Sequence, residues 1–208
     1  MVPRETYLIT MEYNIYMSQI EKVKSGEIKS LLIKGYFETK ITWDRVLKLL
    51  YDNSDFLQII NPLWIKIKQR QIFSDMPEVK DFLLKLNFDF GIEYNENCSF
   101  NQDWEYGQCH CEHMWHTDGF VVSLSPKTMV AHQDVHNTCY LQLIGNSFWS
   151  LDGKDPIKMD PGDVLFVSKD ITHEVSGNGP RSGILFVERY IPLEFREGYT
   201  PPPPVKNY

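Results

Sequence analysis

At 208 residues, 42% of them apolar and 13% aromatic, the chain can bury one substantial hydrophobic core, which excludes a disordered polymer. A formal charge of −7 with no long basic run argues against nucleic acid and anionic membrane as partners, since both reward clustered positive charge. No stretch approaches the roughly 20 consecutive apolar residues that cross a bilayer, so no membrane partner is expected.

The opening residues, Met1-Val2-Pro3-Arg4-Glu5-Thr6, lack the basic-then-apolar layout of a signal peptide, and a cytoplasmic location is expected. Tyr13, Tyr16, Ile20 and Val23 recur at helical spacing, and Gly26 stands where such a helix would stop. Residues 30–37, with Leu31-Leu32-Ile33, read as a buried strand. Thr42 is placed to cap a second helix whose apolar face carries Val46, Leu49 and Leu50. Ile65 and Ile67 alternate with Lys66 and Lys68, the pattern of a half-exposed strand, although a helix also accommodates it. Pro77 suits a first helical turn, followed by Val79, Phe82, Leu83 and Leu86 on one face.

From about Phe120 the texture changes. Short apolar runs at 121–122, 139–144, 148–151, 164–167 and 184–187 are broken by turn residues. Gly145-Asn146, between two of these runs, has the signature of a two-residue hairpin. Asp152-Gly153 and Asp160-Pro161-Gly162-Asp163 mark further turns. Closely spaced strands with tight turns indicate an antiparallel sandwich or jelly roll. The run Pro201 to Pro204 favours an extended polyproline conformation on the surface. With no internal repeat, one domain over 1–208 is expected, mainly β with flanking helices (α+β). Its parts are a helical and strand region over 1–95, a strand-rich core over 119–192 and a proline-rich tail over 198–208.

His132-Gln133-Asp134 places two ligand types at i and i+2, which on a strand project to the same face. His173 follows 41 residues after His132, just beyond the apolar run 164–167, where returning antiparallel strands can bring it to a third corner. Two histidines and a carboxylate on one face of an ion leave positions open for co-substrate and oxygen, the arrangement of non-haem Fe(II) oxygenases. A second His-x-Asp, His116-Thr117-Asp118, competes for the same role.

Context separates the two. Ala131-His132-Gln133-Asp134, then residues 140–145 ending at Gly145, then Phe148-Trp149-Ser150-Leu151 resemble the JmjC and cupin-like hydroxylases, which include asparaginyl hydroxylases. Pro161-Gly162-Asp163 with residues 164–167 and then His173 is similar to the second cupin motif at its usual spacing. The likeness covers residues 119–190. It implies a double-stranded β-helix (jelly-roll or cupin) barrel with His132, Asp134 and His173 as Fe(II) ligands and as the catalytic set. It also implies 2-oxoglutarate and O2 as co-substrates, 2-oxoglutarate being decarboxylated to succinate as a C–H bond is oxidised. The glutamate of four-ligand cupins would fall near Thr138 and is absent, which favours the three-ligand oxygenase. The carboxylate at 134 speaks against halogenases of this class.

The match departs at the co-substrate anchor. A buried carboxylate needs a cation or several donors, and many relatives place a lysine or arginine at the position of Ser147. Here Arg181, eight residues after His173, is the replacement: other 2-oxoglutarate oxygenases carry an arginine on that strand, and its fork suits a carboxylate. A surface arginine beside a Gly-Pro turn is the plainer alternative. Thr138 and Tyr140 lie an even number of residues beyond Asp134 and, on an unbroken strand, would offer hydroxyl donors from the same face.

Cysteines at 98, 109, 111 and 139 are too few and uneven for a disulfide framework and read as reduced thiols. Cys109-His110-Cys111-Glu112-His113 is dense in ligand types, but C-x-C is not a zinc knuckle and no second pair follows. Trp115, His116 and Asp118 resemble the first metal motif of taurine-dioxygenase-like enzymes, yet only 57 residues separate His116 from His173, short for that family. They are assigned to a substrate-facing segment, with packing and capping as equal alternatives. His136 reads as a neighbour of the site, and Trp104 and Tyr106 as a substrate lip, while Phe148, Trp149, Phe166 and Phe186 fill the barrel. The expected substrate is an amino acid, a peptide or a small biosynthetic intermediate. The alternatives are an iron dioxygenase of the cupin type that does not use 2-oxoglutarate, and a non-catalytic metal-binding cupin.

Overall fold

The computed structural model of the chain describes residues 16–52, 54, 57–61, 64–67, 85, 113–126 and 130–190. A first helix, α1, covers residues 16–24 and turns Ile20 and Val23 fully inward, and Gly26 follows it with φ +77°. Strand β1 is Ser30–Ile33, shorter than the apolar run suggested because Lys34 and Gly35 turn away to meet the Asp163 carboxylate. Helix α2, Trp43–Asp52, starts where Thr42 Oγ1 accepts the Arg45 N–H at 3.4 Å, and it buries Val46 and Leu49. Two strands follow, β2 (Leu57–Asn61) and β3 (Trp64–Ile67). The strand reading of Ile65 and Ile67 therefore holds; of the helix expected after Pro77 only Lys85 is described, in helical conformation, and the proline-rich tail lies outside the described residues.

The remaining strands are β4 (His113–Ser123), β5 (Thr138–Ile144), β6 (Ser147–Leu151), β7 (Ile157–Met159), β8 (Val164–Val167), β9 (His173–Ser176) and β10 (Arg181–Tyr190). They form two antiparallel sheets, one in the order β1-β8-β5-β10-β4-β3-β2 and a smaller one in the order β7-β6-β9. Alternation along the central strands divides the interior in two. Cys139, Leu141, Val164, Phe166, Ile184 and Phe186 face one way and pack with Ile20, Val23, Val46 and Leu49 of the helices. Tyr140, Leu165 and Val167 face the other way and meet Trp149, Leu151 and Met159 of the smaller sheet. The large sheet is thus covered by helices on one face and by the small sheet on the other: a jelly roll with flanking helices.

Gly145-Asn146 does not make the expected hairpin. β5 pairs with β8 and β10, whereas β6 pairs with β7 and β9, so the dipeptide is a corner that carries the chain from one sheet to the other. Gly145 takes φ +71°, and a Cβ there would stand 2.5 Å from the Pro180 carbonyl oxygen. Only glycine allows both the backbone angle and the close approach. The turn at Asp152-Gly153 does join a hairpin, between β6 and β7, with Asp152 at φ 50°. Asp163 closes the next turn by accepting the Asp160 N–H at 2.7 Å and the Gly35 N–H at 2.8 Å.

Candidate metal centre

His132, Asp134 and His173 come together at one end of the barrel, each offering a ligand atom within 4.8 Å of the others. The strand argument that predicted this needs correction. His132 forms a single antiparallel bridge to His173, and no strand runs through 133–137. The two ligands of His-x-Asp therefore come from a loop docked on β9 rather than from one strand face. Two reciprocal hydrogen bonds make that docking, His132 N–H to His173 O at 3.0 Å and His173 N–H to His132 O at 2.8 Å. Beyond the bridge, Gln133 Nε2 donates to Thr172 Oγ1 at 2.9 Å and Asp170 N–H to Asp134 O at 2.9 Å.

Both imidazoles are oriented in the same way. His132 Nδ1 lies 3.1 Å from the Val130 carbonyl and His173 Nδ1 3.0 Å from the Ile171 carbonyl. A carbonyl oxygen only accepts, so each Nδ1 carries a proton, and the neutral tautomer this selects has its lone pair on Nε2. Those nitrogens face the same carboxylate: His132 Nε2 is 3.8 Å from Asp134 Oδ1 and His173 Nε2 3.5 Å from Asp134 Oδ2. Two bonds of about 2.1 Å to a shared ion can span such separations. His173 is buried, at 4% exposure, while Asp134 at 34% opens toward solvent, so the centre is anchored inside and reachable from outside. The donor set suits a divalent ion of the iron or zinc class.

Behind the ligands the barrel interior is aromatic. The His132 and His173 rings lie 4.3 Å apart, Trp149 stacks on His173 at 5.6 Å, and Tyr140 follows Trp149 at 5.2 Å. Trp149 was read from sequence only as barrel filling. It is that, and its contact with His173 is decided by the pairing of β6 with β9 at Leu151↔His173. Trp149 Nε1 donates to Ser147 Oγ at 3.1 Å, Ser147 Oγ to Gln142 Oε1 at 2.7 Å, and Gln142 Nε2 to the Ile144 carbonyl at 2.8 Å. Ser147, where a basic anchor would stand, is a link in this buried network.

Arg181 begins β10 and is 2% exposed, so it is not the surface arginine of the plainer alternative. Its Nη1 donates to the Ser125 carbonyl at 2.7 Å and the Gly179 carbonyl at 3.2 Å. Burial lowers its pKa, opposed by the charge interaction with Tyr140. Burial also raises the Tyr140 phenol well above its ordinary range, with Arg181 pulling the other way, so Tyr140 stays a neutral donor. Thr138 and Tyr140 are buried on β5, but the unbroken strand expected to run to them from Asp134 is absent: β5 starts at Thr138, after the bend at 135–136.

Trp115, His116 and Asp118 lie on β4, which neighbours β10 and β3. His116 pairs with Val187 and Trp115 with Glu188, and the register shifts between Leu185 and Phe186, leaving Asp118 as the unpaired bulge residue. Bulges often re-aim a strand beside a site. Residues 98, 104, 106 and 109–112 lie outside the described residues, and His113 opens β4. His136 is half-exposed and outside the ligand cluster. Sequence reasoning missed Gln133 and Asn137, whose polar side chains tie the ligand loop to the turn before His173. Their polarity beside an apolar strand was the one available signal.

No family model matches the chain, and no curated protein matches it. Among solved structures it is similar to the Escherichia coli ribosomal oxygenase YcfD, at 11% identity over 79% of this chain and 49% of that one, with a TM-score of 0.46. A YcfD structure in complex with cobalt and succinic acid matches at 16% identity over 38% of this chain and 25% of that one, with a TM-score of 0.33. A cupin superfamily protein from Desulfitobacterium hafniense DCB-2 matches at 15% identity over 44% of this chain and 90% of that one, with a TM-score of 0.30. This chain spans half or less of those oxygenase chains, and the assignment of a jelly roll rests on its own strand order.

Proposed function

We propose that the chain is an Fe(II)- and 2-oxoglutarate-dependent oxygenase that hydroxylates a C–H bond of an amino acid, a peptide or a small biosynthetic intermediate. One observation carries the reading: two imidazoles with Nδ1 held by carbonyls and Nε2 turned toward a single carboxylate. Three such donors fit a divalent iron and leave room around it for other ligands. Iron bound there would supply oxygen activation, with 2-oxoglutarate as the co-substrate that ends as succinate.

The chain's own residues account for binding and orientation. His132 and His173 present lone pairs, and Asp134 offsets the charge of the ion. Trp149 and Tyr140 keep the interior behind His173 dry. Arg181 is the cation assigned to the distal carboxylate of 2-oxoglutarate, with Thr138 and Tyr140 as hydroxyl donors on the same interior face. Trp115, His116 and Asp118 are assigned to the substrate.

A second reading has an observation of its own. Arg181 Nη1 is engaged by two carbonyls and Ser147 by Trp149 and Gln142, which favours an iron dioxygenase of the cupin type whose substrate chelates the ion directly. Anaerobic loading with Fe(II) followed by 2-oxoglutarate titration separates the two through the visible metal-to-ligand charge-transfer band. A saturable band, lost in Asp134→Ala and needing roughly tenfold more 2-oxoglutarate in Arg181→Ala, supports the oxygenase. Iron bound at one per chain with no band overturns it in favour of the second reading.

A further inference from the structure

The two segments that carry the ligands are held together by more than the bridge between the histidines. Asn137, three residues after Asp134, sends its side chain across to the turn that precedes His173, where its Oδ1 accepts the Lys169 N–H at 2.7 Å. The next residue, Asp170, donates its own N–H to the Asp134 carbonyl. Asp170 sits at φ 63°, a left-handed turn conformation that aspartate tolerates better than most residues. The turn is therefore locked at adjacent residues, once by a side chain and once by a ligand's own backbone.

The lock is itself braced. Asn137 Nδ2 donates to Glu188 Oε2 at 2.7 Å and to the Lys24 carbonyl at 3.3 Å, while Glu188 N–H donates to the Asn137 carbonyl at 2.8 Å. Asn137 and Glu188 are 7% and 8% exposed, so these bonds are sheltered from water. Glu188 is neutralised by Lys24 Nζ at 3.1 Å, which also meets Glu21 at 2.9 Å. Four separate pieces of the fold converge: the end of α1, the approach to β5, the turn between β8 and β9, and β10.

We propose that Asn137 and Glu188 are positioning residues for the metal centre, setting the distance between Asp134 and His173 by fixing the 168–170 turn against the ligand loop. The inference rests on reading His132, Asp134 and His173 as a metal site. It assigns no ligand role to either residue. Partners that orient first ligands commonly change metal affinity about 10- to 100-fold when removed.

Cobalt(II) titration of the full chain, followed by its visible absorption, tests the proposal. Asn137→Asp sets two carboxylates against each other and is expected to weaken Co(II) binding about 10- to 100-fold. Asn137→Asp with Glu188→Gln reverses donor and acceptor and restores the bond between 137 and 188, though not the one to the Lys24 carbonyl, and is expected to bind Co(II) at least about threefold more tightly than Asn137→Asp alone. Val46→Ala, in the helix layer on the far side of the large sheet, is the control for lost stability and should bind Co(II) like the unaltered chain. Asn137→Ala, which introduces no charge, carries the same expected loss if the Asn137→Asp chain does not fold. Failure of the unaltered chain to bind Co(II) overturns the metal-site reading and this inference together. Normal binding in the Asn137 variants, no recovery in the double variant, or an equal loss in Val46→Ala overturns the positioning role alone.

Discussion

Each imidazole of the triad gives up one nitrogen to hold the other in place. The carbonyls of Val130 and Ile171 are both two residues before the histidine they hold, so each segment orients its own ligand. Tautomer and ring direction are then settled before any ion arrives, which lowers the ordering cost of binding. The same face-by-face logic governs Cys139, which points away from the metal into the helix-covered core. Burial pushes its thiol well above an ordinary value of 9.0. Because the folded chain holds that proton more tightly, the stability this group contributes is complete below pH 9.0 and is lost as the pH rises from there toward the folded value. Thermal unfolding between about pH 8 and pH 10 should therefore fall less steeply in Cys139→Ala than in the unaltered chain. Parallel slopes would show that the thiol is not the titrating group.

Elements place these residues by the way they end rather than by their length. β5 must stop at Ile144 for β6 to cross to the other sheet, and the corner that does this also touches the start of β10. A Cβ on Gly145 would press on the Pro180 carbonyl at 2.5 Å and stand 3.0 Å from the Arg181 Cβ. Gly145→Ala is expected to cost about 1–3 kcal/mol, read as a lower urea midpoint, from left-handed strain and this collision. It should also disturb Arg181, so under the oxygenase reading 2-oxoglutarate affinity falls with stability. A Cβ at Gly183, on β10, would collide with the Tyr140 hydroxyl, so the same strand also sets the place of Tyr140. These glycines keep β10 close to β5, which is what brings Arg181 and Tyr140 into one interior.

At the scale of the whole molecule, the large sheet separates a helix-covered core from the interior that ends at the metal centre. An ion that binds only the folded chain adds about 2.7 kcal/mol at one hundred times its dissociation constant. The melting temperature should rise with added Fe(II) or Co(II), return on chelation, and stay unmoved in Asp134→Ala. Much of this was legible beforehand. The apolar runs at 139–144, 164–167 and 184–187 mark nearly all of β5, all of β8 and the middle of β10, with Gly145 closing the first and Asp163 opening the second, since hydrophobic alternation and turn chemistry are local properties. The order His132, Asp134, His173 pointed to a metal site for the same reason: ligand chemistry belongs to the residue type. Tertiary structure alone decided the rest. Gly145-Asn146 is a corner because β6 found β9 rather than β5, a choice between partners that no local pattern encodes. Asn137 meets Glu188 from 51 residues away and the Lys24 carbonyl from 113. Hydrogen bonds across such separations exist only after two sheets and a helix have packed, so the sequence by itself named the candidate ligands and the longer apolar strands, and the packing decided what holds them.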